Sequence, residues 1–260
     1  MNDLIKFKLE GNVAYITLND PESYNALSLD MASQLSEYFN KAEKVARSIV
    51  LTGEGAGFCS GAKLGGDMDP SVLQKTDLGK PLREIYNPLM LQIRRLSIPL
   101  VIAVNGAAAG IGFALATTGD IIVASEDAKF LPAFSRIGLS LDGGLTNHLV
   151  KSVGKARAME LALLDEKRSA VVLRDWGLVN FVEPRQSLQT KASGIAQTLA
   201  NGPTRAYGNI RALIWDATES NYEEQLINEA NSQTPLGMTN DHKRGVLAFL
   251  SKSKPEYTGE

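Results

Sequence analysis

The sequence contains very little cysteine or histidine: its 260 residues include one cysteine, Cys59, and two histidines. A single cysteine cannot form a disulfide within the chain, and this ligand supply is too small for a zinc cluster. We therefore assign no metal ligands. The shortage of cysteine is typical of a reducing compartment, and we expect the protein to be cytoplasmic.

The chain also lacks an excess of either charge and any long apolar run. It has 27 Lys and Arg against 29 Asp and Glu, a net charge of -2, which offers no broad basic surface for nucleic acid. Its apolar stretches are too short to span a membrane. The start, MNDLIKFKLEGNV, alternates in polarity and does not resemble a secretory signal. We expect neither nucleic acid nor membrane as a partner.

The periodic segments that are present predict an α/β fold. Two alternating segments flank a turn at Glu10-Gly11-Asn12, the pattern of a hairpin. Four short buried strands are predicted further along, in SIVLTG, PLVIAVNG, DIIVAS and GLVNFVE. Helical segments separate them, including one that begins at Ser28 and one over 81–96 interrupted near Pro88. Strands separated by helices favour a parallel sheet.

After Pro184 the strand patterns stop and helical periodicity takes over. The predicted helices cover 185–200, 204–217, 220–232 and 240–252. The sequence therefore predicts a core over 1–200 and a helical C-terminal section over 201–260.

Two glycine-rich stretches each follow a predicted strand: LTGEGAGFCSGAKLGG at 51–66 and VNGAAAGIGFALA at 104–116. A glycine turn that opens a helix leaves N–H groups that can hold an anion or a developing oxyanion. For either stretch alone, close packing of small residues is the simpler interpretation. The glycine spacing does not match G-x-G-x-x-G, and no G-x-x-x-x-G-K-[ST] loop occurs, which argues against NAD and nucleoside triphosphates.

Several blocks in order resemble the enoyl-CoA hydratase/isomerase family, the crotonase superfamily. They are IVLTGEGAGFCSGAKL, PLVIAVNGAAAGIGFALATTGDIIVASEDAKF and VGKARAMELAL followed by WGLVNFV. The similarity runs from about Val13 to Val182, with a weaker match in RGVLAFLSKSKPEY. It implies a spiral of β-β-α units, a helical C-terminal section that forms trimers or pairs of trimers, and an acyl-CoA thioester substrate. Coenzyme A enters as part of that substrate, and no separate cofactor is expected.

The resemblance also assigns site residues. The oxyanion-hole N–H groups fall on Ala62 and on Ile111, where the family usually has glycine. The expected contacts to CoA and the acyl group are Asn25, Ala26, Leu27, Gly61, Ala62, Lys63, Leu64, Gly110, Phe134 and Leu139. A neighbouring subunit is expected to add Phe249, Lys252 and Lys254. Lys63 stands where the family often has aspartate, a departure within the CoA contacts.

The catalytic base is the point at which the chain departs from the hydratases of the family. Their two glutamate positions fall on Ala114 and Phe134, neither of which can exchange a proton. Asp142, four residues after Gly138 in IGLSLDGG, matches the carboxylate of the family's isomerases. Its apolar surroundings, including Leu141, are expected to raise its pKa. The sequence thus predicts a double-bond isomerase with Asp142 as acid and base.

Other interpretations stay open at this point. Asp142 could simply form a turn or cap a helix. The aroyl-CoA dehalogenases place a histidine upstream of their aspartate, whereas His148 and His242 both follow Asp142. The naphthoate synthases have a similar DGG with a spacing one residue shorter. A hydratase of another specificity, or an acyl-CoA binder without activity, also remains possible.

Overall fold

The computed structural model describes residues 3–63 and 76–260. The strands are β1 Ile5–Glu10, β2 Val13–Leu18, β3 Ser48–Gly53, β4 Gly57–Cys59, β5 Leu100–Val104, β6 Ala107–Ala109, β7 Ile121–Ser125, β8 Lys129–Leu131, β9 Arg168–Ser169 and β10 Phe181–Glu183. The helices are α1 Leu29–Val45, α2 Asn87–Arg94, α3 Ile111–Ala116, α4 Leu145–Leu164, α5 Ala170–Asp175, α6 Leu188–Ala200, α7 Thr204–Ala217, α8 Tyr222–Gly237 and α9 Asn240–Leu250.

The larger sheet has the strand order β1-β2-β3-β5-β7-β10. The β1–β2 hairpin is antiparallel, and every other neighbouring pair in this sheet is parallel. These are the six strands that the sequence predicts, and the helices between the parallel strands provide the crossovers. The α/β prediction is confirmed.

Alternate residues of β3 enter two different cores. Ile49 and Leu51 pack on the side of α1, in the main cluster of buried apolar side chains. Val50 packs on the other side with Leu188 and Ala192 of α6. A parallel strand covered on both faces reads as a continuous apolar run, which is why SIVLTG lacks alternation.

A second, smaller sheet has the order β4-β6-β8-β9 and was missed by the sequence analysis. Its strands are two or three residues long, and two of them lie inside the glycine-rich stretches. Runs this short show no periodicity. This sheet nevertheless matters most for function, because it joins the two stretches.

The helix beginning at Ser28 forms as predicted: the Ser28 hydroxyl accepts the N–H of Met31 at 3.1 Å and caps α1. The segment predicted over 81–96 is less regular. It contains a π-helical turn, Leu82–Tyr86, followed directly by α2, with Pro88 in the first turn of α2. The predicted interruption near Pro88 therefore takes the form of a wider turn just before the proline.

The C-terminal helices are found with shifted ends. The helix predicted over 185–200 begins at Leu188, after a 3₁₀ turn, and the one predicted over 240–252 ends at Leu250. The helix predicted over 220–232 runs from Tyr222 to Gly237 and contains Pro235 in its last turn. The division of the chain at residue 200 stays a prediction.

A buried ion pair ties this helical section to the core. The Nε atom of Arg211, on α7, lies 2.6 Å from Oδ2 of Asp120, which also accepts the N–H of Leu100 at 2.7 Å. The same guanidinium donates to the carbonyl oxygens of Ile93 and Leu96. Asp120 is therefore a structural residue. In the described ranges, 3–63 and 76–260, no helix is both long and apolar enough to cross a membrane.

Candidate active site

The small sheet presses the two glycine-rich stretches together. Strand β4 pairs in parallel with β6, with Gly57 opposite Ala107 and Cys59 opposite Ala108. A Cβ atom on Gly112 would overlap the carbonyl oxygen of Cys59, so only glycine fits at this contact. The close-packing interpretation of the glycines is thus correct, and the same packing brings the candidate donors together.

Each candidate oxyanion donor follows a glycine with positive φ. Gly61, with φ +114°, precedes Ala62, and Gly110, with φ +54°, precedes Ile111 at the start of α3. Within the described part of the chain, no atom accepts the N–H of Ala62 or of Ile111. The Gly61 Cα lies 3.7 Å from the position a Cβ on Gly110 would take. Two N–H groups without an acceptor among the described residues therefore occupy adjacent turns.

Both positions that carry glutamate in hydratases are filled by apolar side chains at this site. Ala114 is fully buried in α3, and Phe134 is 6% exposed. The Cζ atom of Phe134 lies 3.9 Å from where a Cβ on Gly110 would be, next to the second donor turn. No proton-exchanging group is present at either position.

The loop that carries Asp142 lies against the first turns of α3. A Cβ atom on Gly143 would lie 2.8 Å from the Cβ of Ala114 and 3.1 Å from the Cγ1 of Ile111. The backbone of this loop therefore covers Ala114, the place a hydratase glutamate would start from. The loop of Asp142 therefore lies next to Ile111 and Ala114, and the catalytic role of Asp142 stays a prediction.

The Asp142 side chain is half-buried and poorly solvated. Its Oδ1 atom is buried, and none of the described residues donates a hydrogen bond to it. Burial raises the pKa of Asp142 to about 6, the direction expected for a carboxylate among apolar side chains. A carboxylate titrating near 6 is ionised at neutral pH and still basic enough to take up a proton.

The capping interpretation of Asp142 does not describe its side chain. Helix α4 has Gly144 as its N-cap, without any side-chain capping bond. Only the backbone of Asp142 takes part in the turn, with its carbonyl oxygen accepting the N–H of Leu145 at 3.0 Å. The turn forms through the backbone of Asp142, and the carboxylate takes no part in it.

The segment Asn25-Ala26-Leu27 borders the first donor turn. Leu27 forms a parallel bridge with Ala62, and the Leu27 N–H donates to the Gly61 carbonyl at 2.7 Å. The buried Asn25 side chain accepts from the Asp20 N–H and donates to two carbonyls, those of Glu54 and Gly57. It therefore holds the loop in shape, and its polar atoms are already used within the chain.

The remaining predicted contacts are more exposed. The Lys63 Nζ lies 2.7 Å from Oδ2 of Asp20, and this hydrogen bond lowers the pKa of Asp20. Leu139 is 43% exposed, and Leu64, like Asp67 and Asp69, lies outside the described residues. Phe249 is 83% exposed and lines a surface groove with Ala206, Ile210 and Tyr257, apart from the cluster around Asp142.

Glu84 and Cys59 do not form a competing site within the described part of the chain. Glu84 is exposed on its helix, and burial raises the pKa of the Cys59 thiol to about 11, which keeps it protonated. No group of three or more His, Cys, Asp and Glu side chains suited to a metal ion occurs in the segments 3–63 and 76–260.

Sequence reasoning missed two side chains around this site. Tyr86 is buried and donates its hydroxyl to the Leu27 carbonyl at 2.7 Å. Asp165, just past the end of α4, accepts the Ala133 N–H at 2.6 Å and pairs with Arg136 at 2.8 Å, so it holds the turn that carries Phe134. No local motif marks either residue, because the partners are distant in the sequence.

Comparison with known proteins identifies the family. The family model described as enoyl-CoA hydratase/isomerase matches residues 8–260. The chain is 39% identical to the 1,2-epoxyphenylacetyl-CoA isomerase of Escherichia coli (strain K12), over 100% of both chains. It is 28% identical to the trans-2-decenoyl-[acyl-carrier-protein] isomerase of Streptococcus mutans, over 98% of both.

Among solved structures, an enoyl-CoA hydratase from Polaromonas sp. JS666 superposes with a TM-score of 0.87 at 35% identity, covering 98% of this chain and 99% of that one. The chain therefore belongs to the enoyl-CoA hydratase/isomerase family and is an enzyme with the family's type of activity on acyl-CoA. Isomerases and hydratases both occur among its relatives, so the reaction has to be argued from the site.

Proposed function

We propose that this enzyme is an acyl-CoA isomerase that moves a double bond by a 1,3-proton shift. The observation that carries the proposal is that, among the described residues, Asp142 Oδ1 and the N–H groups of Ala62 and Ile111 have no hydrogen-bond partner, while the loop of Asp142 packs against Ile111. Alanine and phenylalanine at positions 114 and 134 leave no second acid to hold a water for addition to the double bond. Enolate chemistry needs one base to remove the proton and one oxyanion hole to stabilise the enolate.

The proposed reaction starts when the Asp142 carboxylate removes a proton from C2 of a 3-enoyl-CoA. The C–H electron pair moves into the thioester, and the resulting oxyanion accepts the N–H groups of Ala62 and Ile111. Loss of one such donor typically raises a barrier by about 2.7–4 kcal/mol. The protonated Asp142 then delivers its proton to C4, and the double bond moves from C3–C4 to C2–C3 with no change in composition.

The substrate class is proposed at the level of a Δ3-Δ2-enoyl-CoA or a related ring-acyl-CoA. The relative at 39% identity is a 1,2-epoxyphenylacetyl-CoA isomerase, and this name supports including ring substrates in any test. The buried Phe134 beside Gly110 supplies an aromatic wall near the proposed oxyanion hole.

We further propose that the enzyme assembles as a homotrimer or a pair of trimers. Five large hydrophobic side chains in the C-terminal section, from α7 onward, are at least 65% exposed: Ile214, Tyr222, Met238, Phe249 and Leu250. Contiguous exposed apolar patches mark interaction surfaces, and we propose that these side chains contribute to one. In this arrangement Phe249 and Lys252 of a neighbouring subunit would reach the CoA. Light scattering on the purified protein tests the trimer, and a monomer at micromolar concentration would refute it.

The test of the reaction is product analysis with 3-enoyl-CoA, 2-enoyl-CoA and a ring-acyl-CoA, together with exchange of the C2 proton in deuterated water. We expect interconversion of the two enoyl isomers and incorporation of deuterium, without 3-hydroxyacyl-CoA. Accumulation of 3-hydroxyacyl-CoA as the main product would instead identify a hydratase. Tight binding of each ester with neither interconversion nor exchange would identify a binder without activity.

A further inference from the structure

Tyr86 occupies a special place in the backbone beside the site. It is the last residue of the π-helical turn Leu82–Tyr86, which leads directly into α2. Such turns are rare and occur frequently at functional sites. The side chain is 5% exposed, and its hydroxyl donates to the Leu27 carbonyl at 2.7 Å. The π-helical turn therefore places a buried donor at the bridge between Leu27 and Ala62.

Both backbone polar groups of Leu27 form hydrogen bonds with the segment around Ala62. Its N–H donates to the Gly61 carbonyl at 2.7 Å, and its carbonyl accepts the N–H of Lys63 at 3.2 Å. These two bonds flank Ala62, whose N–H stays unpaired among the described residues. Of the two hydrogen bonds that the Leu27 carbonyl accepts, the one from the Tyr86 hydroxyl is the shorter. It therefore fixes the strand segment that presents the Ala62 N–H.

The same helical face also reaches the loop of the carboxylate. Met90 lies one turn after Tyr86, and its Cε is 3.6 Å from the position a Cβ on Gly143 would take. Burial, and after it the charges of Cys59 and Asp142, raise the pKa of Tyr86 to about 12. Its proton thus stays on the phenol at neutral pH and is donated to the Leu27 carbonyl.

We propose that Tyr86 is a positioning residue, whose hydroxyl bond to the Leu27 carbonyl keeps the Ala62 N–H aligned with the substrate oxyanion opposite Asp142. The inference rests on the proposed function. It adds a residue that acts on the reaction through the backbone without touching the substrate. A small displacement of a donor reduces the rate strongly while the affinity for the substrate changes little.

The experiment compares Tyr86→Phe with a matched variant, Tyr38→Phe. Tyr38 is half-buried and stacks on Phe7 with ring centroids 5.5 Å apart, and no described residue bonds its hydroxyl. The first readout is the rate of C2 exchange. We expect Tyr86→Phe to lower kcat by about tenfold with KM changed by less than about twofold. Tyr38→Phe should match the wild type in both.

The second readout is the infrared carbonyl stretch of a bound acyl-CoA labelled with ¹³C at the thioester. Donors in an oxyanion hole polarise this carbonyl and lower its frequency. We expect a clear downward shift in the wild type and in Tyr38→Phe, and a smaller shift in Tyr86→Phe. A merely structural loss of stability would not change the frequency of the bound fraction.

Should Tyr86→Phe fail to fold, 3,5-difluorotyrosine at position 86 keeps the ring and loses its proton at lower pH. The carbonyl shift should then diminish as that phenol ionises. The role of Tyr86 alone would be overturned if Tyr86→Phe kept the wild-type carbonyl shift and exchange rate. It would also be overturned if the carbonyl shift did not change as the fluorinated phenol ionised. Absence of both shift and exchange in the wild type would overturn the proposed function, and this inference with it.

Discussion

Helix α4 has an aspartate near each end, and the two side chains behave in opposite ways. Asp142 precedes the helix, and its Oδ1 receives no hydrogen bond from a described residue. Asp165 directly follows the helix, is 5% exposed, and accepts N–H groups from Ala133 and Arg136 as well as the Arg136 guanidinium. The same residue type is thus left bare at one end and fully bonded at the other.

The pKa values of the two aspartates differ because their hydrogen-bond partners differ. Burial raises the pKa of both carboxyls, but at Asp165 the hydrogen bonds from Arg136 and the backbone N–H groups outweigh burial and lower it. A carboxylate at the C-terminal end of a helix faces the negative end of the helix dipole, so Asp165 needs these donors. The contrast teaches that a shielded aspartate holds structure when donors surround it and is free for chemistry when they do not.

The largest effect should come from Asp142→Asn. A carboxamide keeps the shape but cannot take up the C2 proton, and we expect the exchange rate to fall by a factor on the order of 10²–10⁴. The affinity for an acyl-CoA should stay close to that of the wild type in a binding titration. Asp175→Asn, at an exposed aspartate paired with Arg174, is the control and should exchange normally. A wild-type rate in Asp142→Asn would end the proposal.

Asp165→Asn should act on stability. Asparagine tolerates the left-handed backbone at this position, φ +50°, but its amide group would face the donors of Arg136. We expect the free energy of unfolding in urea to fall by about 2 kcal/mol. Asp142→Asn should show no such loss at pH 7. Equal losses at the two positions would show that the two carboxylates do not differ in the way described.

Gly143→Ala tests the contact between the Asp142 loop and α3. The new Cβ would lie 2.8 Å from that of Ala114, whereas the same change at Gly138 meets nothing within 4 Å. Both glycines have similar positive φ, 60° and 72°, so the backbone strain is matched. We expect Gly143→Ala to cost about 1–3 kcal/mol more than Gly138→Ala in urea unfolding. Equal costs would mean that the loop does not pack on Ala114.

The smallest effect is in the pH dependence of stability. The folded pKa of Asp142 lies above its unfolded value, so the wild type should gain stability relative to Asp142→Asn as the pH falls from 7 to 4. Because the group is partly exposed, we expect a gain of no more than about 1 kcal/mol. The pKa of Asp165 is lowered, so the advantage of the wild type over Asp165→Asn should shrink below about pH 4. As the pH falls, the difference in unfolding free energy should therefore grow for Asp142 between pH 7 and 4 and shrink for Asp165 below about pH 4. Changes in the same direction would contradict the contrast.

Much of the fold could be predicted from sequence. The strands of the large sheet contain β-branched and apolar runs of five or six residues, apart from three-residue β10, and these carry a clear signal. Strands β4 and β6 are three residues of glycine, alanine, phenylalanine and cysteine, too short for any period. Helix α8 continues past its predicted end because Pro235 falls in the last turn, where one lost N–H bond does not break a helix already formed.

Less of the candidate site could be predicted from the sequence. Resemblance pointed to Asp142, Ala62 and Ile111, and local glycines mark both donor turns. The unpaired state of the carboxylate could not be predicted, because it depends on Gly144 rather than Asp142 capping α4. Tyr86 was missed because its bond reaches Leu27, 59 residues away, and Asp165 because its partners lie about 30 residues upstream.

The central claim is that the bare carboxylate of Asp142 is the base, and the pH profile of C2 exchange in deuterated water tests it most directly. The measurement follows deuterium incorporation into a bound acyl-CoA between pH 4.5 and 8, with Asp142→Asn in parallel. We expect the wild-type rate to rise with an apparent pKa of about 6 and the variant to show no such rise. A wild-type rate that is flat across this range, or a variant that keeps the same profile, would contradict the account.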